Sequence, residues 1–156
     1  MAASTFKLQI MASDHMVYEG EAKSVSLPTT EGSIGILANH SNIIMAIVPG
    51  LLTYEAVRSE AEATEYEDIR ETLKPGRHEI VVSDGLLKVE NGEVMILVDT
   101  AERPEDIDEA RARRAAERAR EELRRTNTNR EMAMASAELS RAMSRISAST
   151  NKHRLK

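Results

Sequence analysis

The stretch EVMILVDTAERPEDIDEARA, residues 93–112, carries two kinds of order end to end. Its first part, Val94 to Val98, is a short β-branched and apolar run of strand length, entered through Asn91-Gly92, the dipeptide that best fits a two-residue hairpin turn. After Arg103 the pattern becomes helical. Pro104 suits a first helical turn, and Glu105, Asp106, Asp108 and Glu109 favour the positive end of a helix dipole. Arg124 and Arg125 stand where the negative end is expected, about 20 residues on. The chain therefore changes architecture near residue 100.

Upstream, Phe6, Leu8 and Ile10 alternate with polar neighbours, as do Val25 and Leu27. Further runs cover Ile43 to Val48, Leu51 to Val57, Ile80 to Ser83 and Leu86 to Val89, separated by turn dipeptides. This predicts an antiparallel β-sandwich or barrel of eight to ten strands over residues 1–100. The acidic segment Ser59 to Arg77 reads as an extended hairpin tip or a mobile loop. Downstream, Thr128 and Glu131 have capping-box spacing for a second helix, in which Met132, Ala135, Leu139, Ala142, Met143 and Ile146 recur at three- and four-residue steps. The short connection TNTN makes residues 101–156 an antiparallel two-helix hairpin, and the whole chain α+β.

The first helix offers Ile107, Ala110, Ala115, Ala116, Ala119 and Leu123 to that pairing. A buried methyl contributes about 0.8 kcal/mol against about 1.5 to 3 for Leu or Ile, while alanine is the best helix former. Weak docking between strong helices fits a movable element. Spacing leaves open the alternative of an ordinary stable alanine-rich hairpin.

Charge divides at the same boundary. Met1 to Arg103 holds 8 Lys and Arg against 17 Asp and Glu, whereas Pro104 to Lys156 holds 13 against 9, so a net −9 precedes a net +4. No aromatic residue lies beyond Tyr66, so the basic half lacks a base-stacking platform and no nucleic-acid partner is expected. Absence of cysteine removes disulfides and thiolate sites, and His15, His40, His78 and His153 lack metal-ligand spacing. No run approaches the length of a membrane span, and no phosphate-loop, nucleophile-elbow or His-rich metal motif occurs; neither independent catalysis nor a required cofactor is expected.

Antiparallel register about residues 127 and 128 places Arg111 opposite residue 144, between Arg141 and Arg145 on one helix face. Three guanidiniums there can gather a phosphate. Alternatively Glu102, Glu105, Asp108 or Glu138 neutralises them, or they diverge into water.

The segment TEGSIGIL, residues 30–37, followed by His40 and by Val48-Pro49-Gly50-Leu51, resembles the N-terminal domain of the epsilon subunit of bacterial F-type ATP synthase. Ile107-Asp108-Glu109-Ala110-Arg111-Ala112 is similar to the Ile/Leu-Asp-x-x-Arg-Ala motif with which some of these subunits bind ATP. Glu102 stands five residues before the motif isoleucine, where the family has a contributing glutamate, and Arg141 and Arg145 match two late arginines of the second helix.

The resemblance implies that Arg111, Arg141 and Arg145 hold phosphates of a regulatory ATP. Glu102, Ile107 and Asp108 would surround the adenosine or set the helix start. It further implies a non-catalytic stalk subunit on the cytoplasmic face of the cell membrane, attached only through the complex. Its β domain would clamp the gamma subunit and the proton-driven c-ring, with Glu31, Gly32 and His40 among the contacts. The hairpin would alternate between a form folded against the β domain and an extended form that approaches the alpha and beta subunits and obstructs ATP hydrolysis. The chain departs from the family at Ser59 to Arg77, which is longer and more acidic than usual, and at Ala38-Asn39, where a proline is common. A general protein-binding adaptor is the competing reading.

Overall fold

The structure is a computed structural model that describes residues 4–59 and 70–154. By internal contacts the chain falls into two units, Met1–Ala101 and Glu102–Lys156.

The first unit is β-structured. Its strands are β1 (Phe6–Ala12), β2 (Met16–Thr29), β3 (Gly32–Leu37), β4 (Ile43–Ile47), β5 (Gly50–Ser59), β6 (Gly76–Val82), β7 (Gly85–Glu90), β8 (Glu93–Val98) and the boundary strand β9 (Ala101–Glu102). A four-residue helix α1 (Arg70–Leu73) precedes β6. The expectation for 59–77 falls outside the described residues at 60–69. Strands follow the order β1-β8-β7-β4-β2-β5-β6-β9, with β3 on β2 and a further β1–β2 pairing that turns the sheet back on itself.

Alternation explains the strands: in β8, Val94, Ile96 and Val98 are buried while Glu93, Met95 and Leu97 are exposed. One pair departs from the antiparallel expectation, since β1 runs parallel to β8, Leu8 opposite Val94 and Ile10 opposite Ile96. The core gathers Leu8, Ile10, Val25, Leu27, Leu52, Leu87 and Ile96, each essentially without solvent contact. Each such side chain contributes on the order of 1.5 to 3 kcal/mol. As expected, Asn91 (φ 51°) and Gly92 (φ 79°) form the turn between β7 and β8, both at the positive φ that a type I′ turn requires.

A polar cluster sits within this core. Tyr18 and Tyr54 pack at 5.0 Å between ring centroids, and the His78 ring stacks 5.2 Å from Tyr54. Tyr54 donates to the Thr72 carbonyl at 2.9 Å, and the Thr72 hydroxyl donates to the Val17 carbonyl at 2.7 Å, tying α1 to β2 and β5. Burial, helped by the nearby Tyr18, raises the Tyr54 pKa well above the ordinary tyrosine value of about 10. The folded form therefore keeps a proton that the unfolded chain releases. Stability from this group is complete below pH 10 and falls as pH rises from there toward the folded pKa, by about 1.4 kcal/mol per pH unit. Urea midpoints measured from pH 9 to 11 are expected to fall more steeply in the wild type than in Tyr54→Phe.

In the second unit a 3-10 turn at Pro104–Asp106 is followed by α2 (Glu109–Arg125) and α3 (Asn129–Arg154). The first helix thus starts later than its proline implied. Ile107 is extended (φ −75°, ψ 123°), and Asp108 caps α2 by accepting from the Arg111 backbone N–H at 3.0 Å. Thr128 caps α3 through the Glu131 N–H at 3.3 Å, as the capping-box spacing predicts.

The seam is made of alanine. Ala112, Ala116 and Ala119 of α2 and Ala135 and Ala142 of α3 are the buried apolar residues of the pair, with Ser149 beside them. Two expectations fail here. Ala110 is exposed because it lies two positions off the Ala112-Ala116-Ala119 stripe, and Met132 and Met143 flank their seam with more than a third of their surface in solvent. The Met143 Sδ accepts from Arg120 Nη2 at 3.3 Å. At the other end of the pair, Ser149 Oγ donates to Glu109 Oε2 at 3.0 Å.

Candidate functional site

Helix start and helix register together shape a cleft of about 330 Å³ within the second unit, lined by Glu102, Asp106, Ile107, Asp108, Arg111, Ala112, Ala115, Arg118, Glu138 and Arg145. The capped start at Asp108 turns Arg111 onto this side, and two turns further along α2 the same face carries Arg118, about 10 Å away along the axis. From α3, two turns apart, come Glu138 and Arg145. Small side chains at Ala112 and Ala115 form the floor.

Five of the six residues expected at a nucleotide site, Glu102, Ile107, Asp108, Arg111 and Arg145, line this cleft, whereas Arg141 does not. Arg141 and Arg145 are one turn apart but about 40° apart around α3, and only the second reaches the opening. Arg118 is the residue that the reading missed. Its signal was present, since a position seven residues after Arg111 shares its helix face.

The charges are arranged unevenly. Arg145 donates from Nε to Glu102 Oε2 at 3.2 Å and from Nη2 to Glu102 Oε1 at 3.0 Å, so neutralisation by Glu102, one of the alternatives, is the arrangement observed. Asp106 is held by Arg103 in the same forked way, at 2.8 and 3.1 Å, and Asp108 is engaged as a cap. The guanidiniums of Arg111 and Arg118 have no hydrogen-bond or ion-pair partner among the described residues. Two uncommitted forks thus face a lined opening, a geometry suited to phosphate or carboxylate oxygens.

The residues expected at a rotor contact lie in the first unit and separate into two places. Glu31 and Gly32 form the exposed β2–β3 turn, with Gly32 at φ 109° and the turn closed by Thr29 Oγ1 donating to the Gly32 carbonyl at 2.6 Å. His40 follows the other end of β3, roughly 17 Å away along the strand, with Nδ1 2.8 Å from the Ser41 carbonyl. Asn39 adopts φ 63°, a conformation closed to proline at that position.

Sequence reading did not assemble a third surface. On the outer face of β1, β8, β7 and β4, register aligns Met11, Leu97, Leu86 and Ala46 in one row and Gln9, Met95, Lys88 and Ile44 in the next. Ile44, Leu86 and Leu97 are 66%, 44% and 40% exposed. The first of these rows is apolar throughout, and the second also carries Gln9 and Lys88. Among the described residues no group of three or more His, Cys, Asp or Glu is placed to hold a metal ion, and no helix is long and apolar enough to cross a membrane.

Comparison with known proteins matches both units in order. Residues 5–104 match the family described as ATP synthase, Delta/Epsilon chain, beta-sandwich domain, and residues 105–150 match its long alpha-helix domain. An ATP synthase epsilon chain of Clostridium novyi is 40% identical over 121 residues, covering 78% of this chain and 80% of that one. One from Bordetella petrii is 36% identical over 87% of this chain and 85% of its own. One from Ruminiclostridium cellulolyticum is 34% identical over 97% and 99%.

In fold, the chain resembles a subunit of the Euglena gracilis mitochondrial ATP synthase OSCP/F1/c-ring structure (TM-score 0.69, 21% identity, 95% of this chain and 82% of that one). It also resembles one of the Tetrahymena thermophila central stalk and c-ring structure (TM-score 0.59, 12% identity, 96% and 99%). With its β unit and its helical unit each matched, and relatives above 30% identity aligned along most of both chains, this chain belongs to the ATP synthase epsilon-chain family.

Proposed function

We propose that the chain is a non-catalytic rotor subunit of a bacterial proton-translocating F-type ATP synthase, held at the cytoplasmic face of the membrane through its partners. In this reading the β unit docks on the gamma subunit and the c-ring and helps couple rotation to ATP synthesis. The observation that carries it is the exposed apolar face of β1, β8, β7 and β4, a surface suited to covering by a partner. The turn at Glu31 and Gly32 and the loop at His40 offer polar contacts at two further places, as a subunit gripping more than one partner needs. The fold neighbours come from a central stalk with c-ring and from an F1 with c-ring, which supports the same partners.

A second limb concerns the hairpin, favoured by the cleft with its unpartnered Arg111 and Arg118 beside the family motif. Here ATP binds the folded hairpin and stabilises it against an extended form that engages the alpha and beta subunits and restrains hydrolysis. A ligand shifts such an equilibrium only through its different affinity for the two forms. The alanine seam makes the shift feasible, because separating the helices exposes methyl groups rather than large side chains.

Co-purification tests the rotor limb. The chain co-expressed with a gamma subunit is expected to form a stoichiometric complex, and Leu86→Glu with Leu97→Glu, both on exposed positions, is expected to weaken it at least tenfold while leaving the isolated fold intact. A complex indifferent to both charges contradicts the assignment of that face, and no complex at all supports a generic adaptor.

A further inference from the structure

We propose that Glu102 is a built-in competitor of the anion at this cleft: it occupies one of the two bidentate edges of Arg145 that a phosphate can take, Nε with Nη2, and so lowers the affinity of the site for phosphate. The inference rests on the nucleotide reading of the cleft. Its starting point is the forked pair itself, Nε to Oε2 at 3.2 Å and Nη2 to Oε1 at 3.0 Å. A guanidinium presents this edge to one planar or tetrahedral anion at a time, so bidentate phosphate and bidentate Glu102 exclude each other.

The surroundings strengthen the competition. Arg145 and Glu102 side chains are 29% and 38% exposed, whereas the Arg124–Glu121 pair on the open helix surface is 74% and 46% exposed, so solvent and salt screen the cleft pair less. The lining as a whole holds four carboxylates, Glu102, Asp106, Asp108 and Glu138, against three guanidiniums, Arg111, Arg118 and Arg145. Asp106 is engaged with Arg103 and Asp108 with the start of α2. Glu102 and Glu138 are therefore the carboxylates left to oppose an incoming anion, and of these Glu102 is the one already seated on a phosphate-binding fork. An anion that takes this Nε–Nη2 edge of Arg145 must release Glu102, which lies 43 residues away in the chain at the entry to the hairpin unit. Occupancy of that edge by a ligand and the tethering of that entry to α3 are thus alternatives.

The test is calorimetric titration of inorganic tripolyphosphate, and of ATP in parallel, into the full chain. Tripolyphosphate isolates the competition because it lacks the ribose and base from which a displaced Glu102 can accept hydrogen bonds. Glu102→Gln is expected to bind tripolyphosphate roughly three- to tenfold more tightly than the wild type. Glu102→Asp, which keeps the charge but shortens the reach by one methylene, is expected to fall between them. In an Arg145→Ala background the gain from Glu102→Gln is expected to shrink to the size that Glu138→Gln gives, which separates a specific pair from a general lowering of negative charge. Glu138→Gln, which changes charge alone, is expected to give a gain that survives in that background.

An unchanged affinity in Glu102→Gln while ATP still binds the wild type overturns the competition and leaves the nucleotide reading standing. A gain of equal size in the Arg145→Ala background also overturns it. Failure of both ligands to bind any variant overturns the competition and the nucleotide reading together.

Discussion

Gly85→Ala is expected to destabilise the β unit by about 3 kcal/mol or more, seen as a fall of roughly 1 M or more in the urea midpoint of the full chain. A β-carbon at this position stands 2.1 Å from the Leu97 carbonyl oxygen and 2.9 Å from the Val98 Cα. Both are backbone atoms of β8, and β7 has no room to retreat. Ser83 N–H donates to the Thr100 carbonyl at 3.1 Å, Thr100 N–H to Ser83 Oγ at 2.8 Å, and Asp99 N–H to the Asp84 carbonyl at 3.0 Å, fastening the entry of β7 to the exit of β8. On its other side Gly85 pairs with Ile47 of β4. Gly35→Ala supplies the contrast. That glycine has an ordinary φ and nothing within 4 Å of an added β-carbon, so its replacement is expected to leave the midpoint unchanged or to raise it slightly. Equal effects at the two positions contradict the packing described for β7 and β8.

These glycines also mark how far the fold was legible. Short apolar runs revealed β7 and β8, Asn91-Gly92 revealed their hairpin, and alternation revealed the seven-residue β1, because each signal is local. The first half of β2 was not legible. Gly20, Glu19 and Glu21 interrupt any apolar run, and the strand exists because β1 and β5 pair with it from both sides. Gly20 is required there by a close approach, with the Arg58 carbonyl oxygen 2.2 Å from where a β-carbon would stand. No single-sequence signal announces such a neighbour 38 residues away. Gly35, by contrast, lies in regular register with Ser26.

The site shows the same division. Helical period and hairpin register brought Arg111 and Arg145 to one side correctly, since both follow from geometry common to all α-helices. The choice between Arg141 and Arg145, and the partner that Arg145 takes, depend on side-chain direction and on the path of the chain through Ile107, which is extended rather than helical. Spacing counted Pro104 as the helix start and so could not foresee that path. The outer apolar face was hidden for a related reason. Its rows are assembled from four strands whose registers, including the parallel β1–β8 pair, are set by tertiary pairing.

The alanine seam connects structure to the proposed regulation. Docking of α2 on α3 depends on Ala112, Ala116 and Ala119 meeting Ala135 and Ala142, with the Glu109–Ser149 and Glu102–Arg145 contacts toward one end. Opening the hairpin forfeits little apolar burial and leaves the helices' own hydrogen bonds intact. A small ligand that bridges both helices is therefore of the right strength to decide the balance.

Titration of ATP into the isolated full chain by calorimetry, alongside Arg111→Ala and Arg145→Ala, tests the central claim most directly. The account predicts saturable binding at one site, weakened at least tenfold by each substitution, because each removes a charge-assisted fork from opposite walls of the same cleft. No binding at millimolar ATP, or binding indifferent to both substitutions, contradicts a nucleotide role for the cleft.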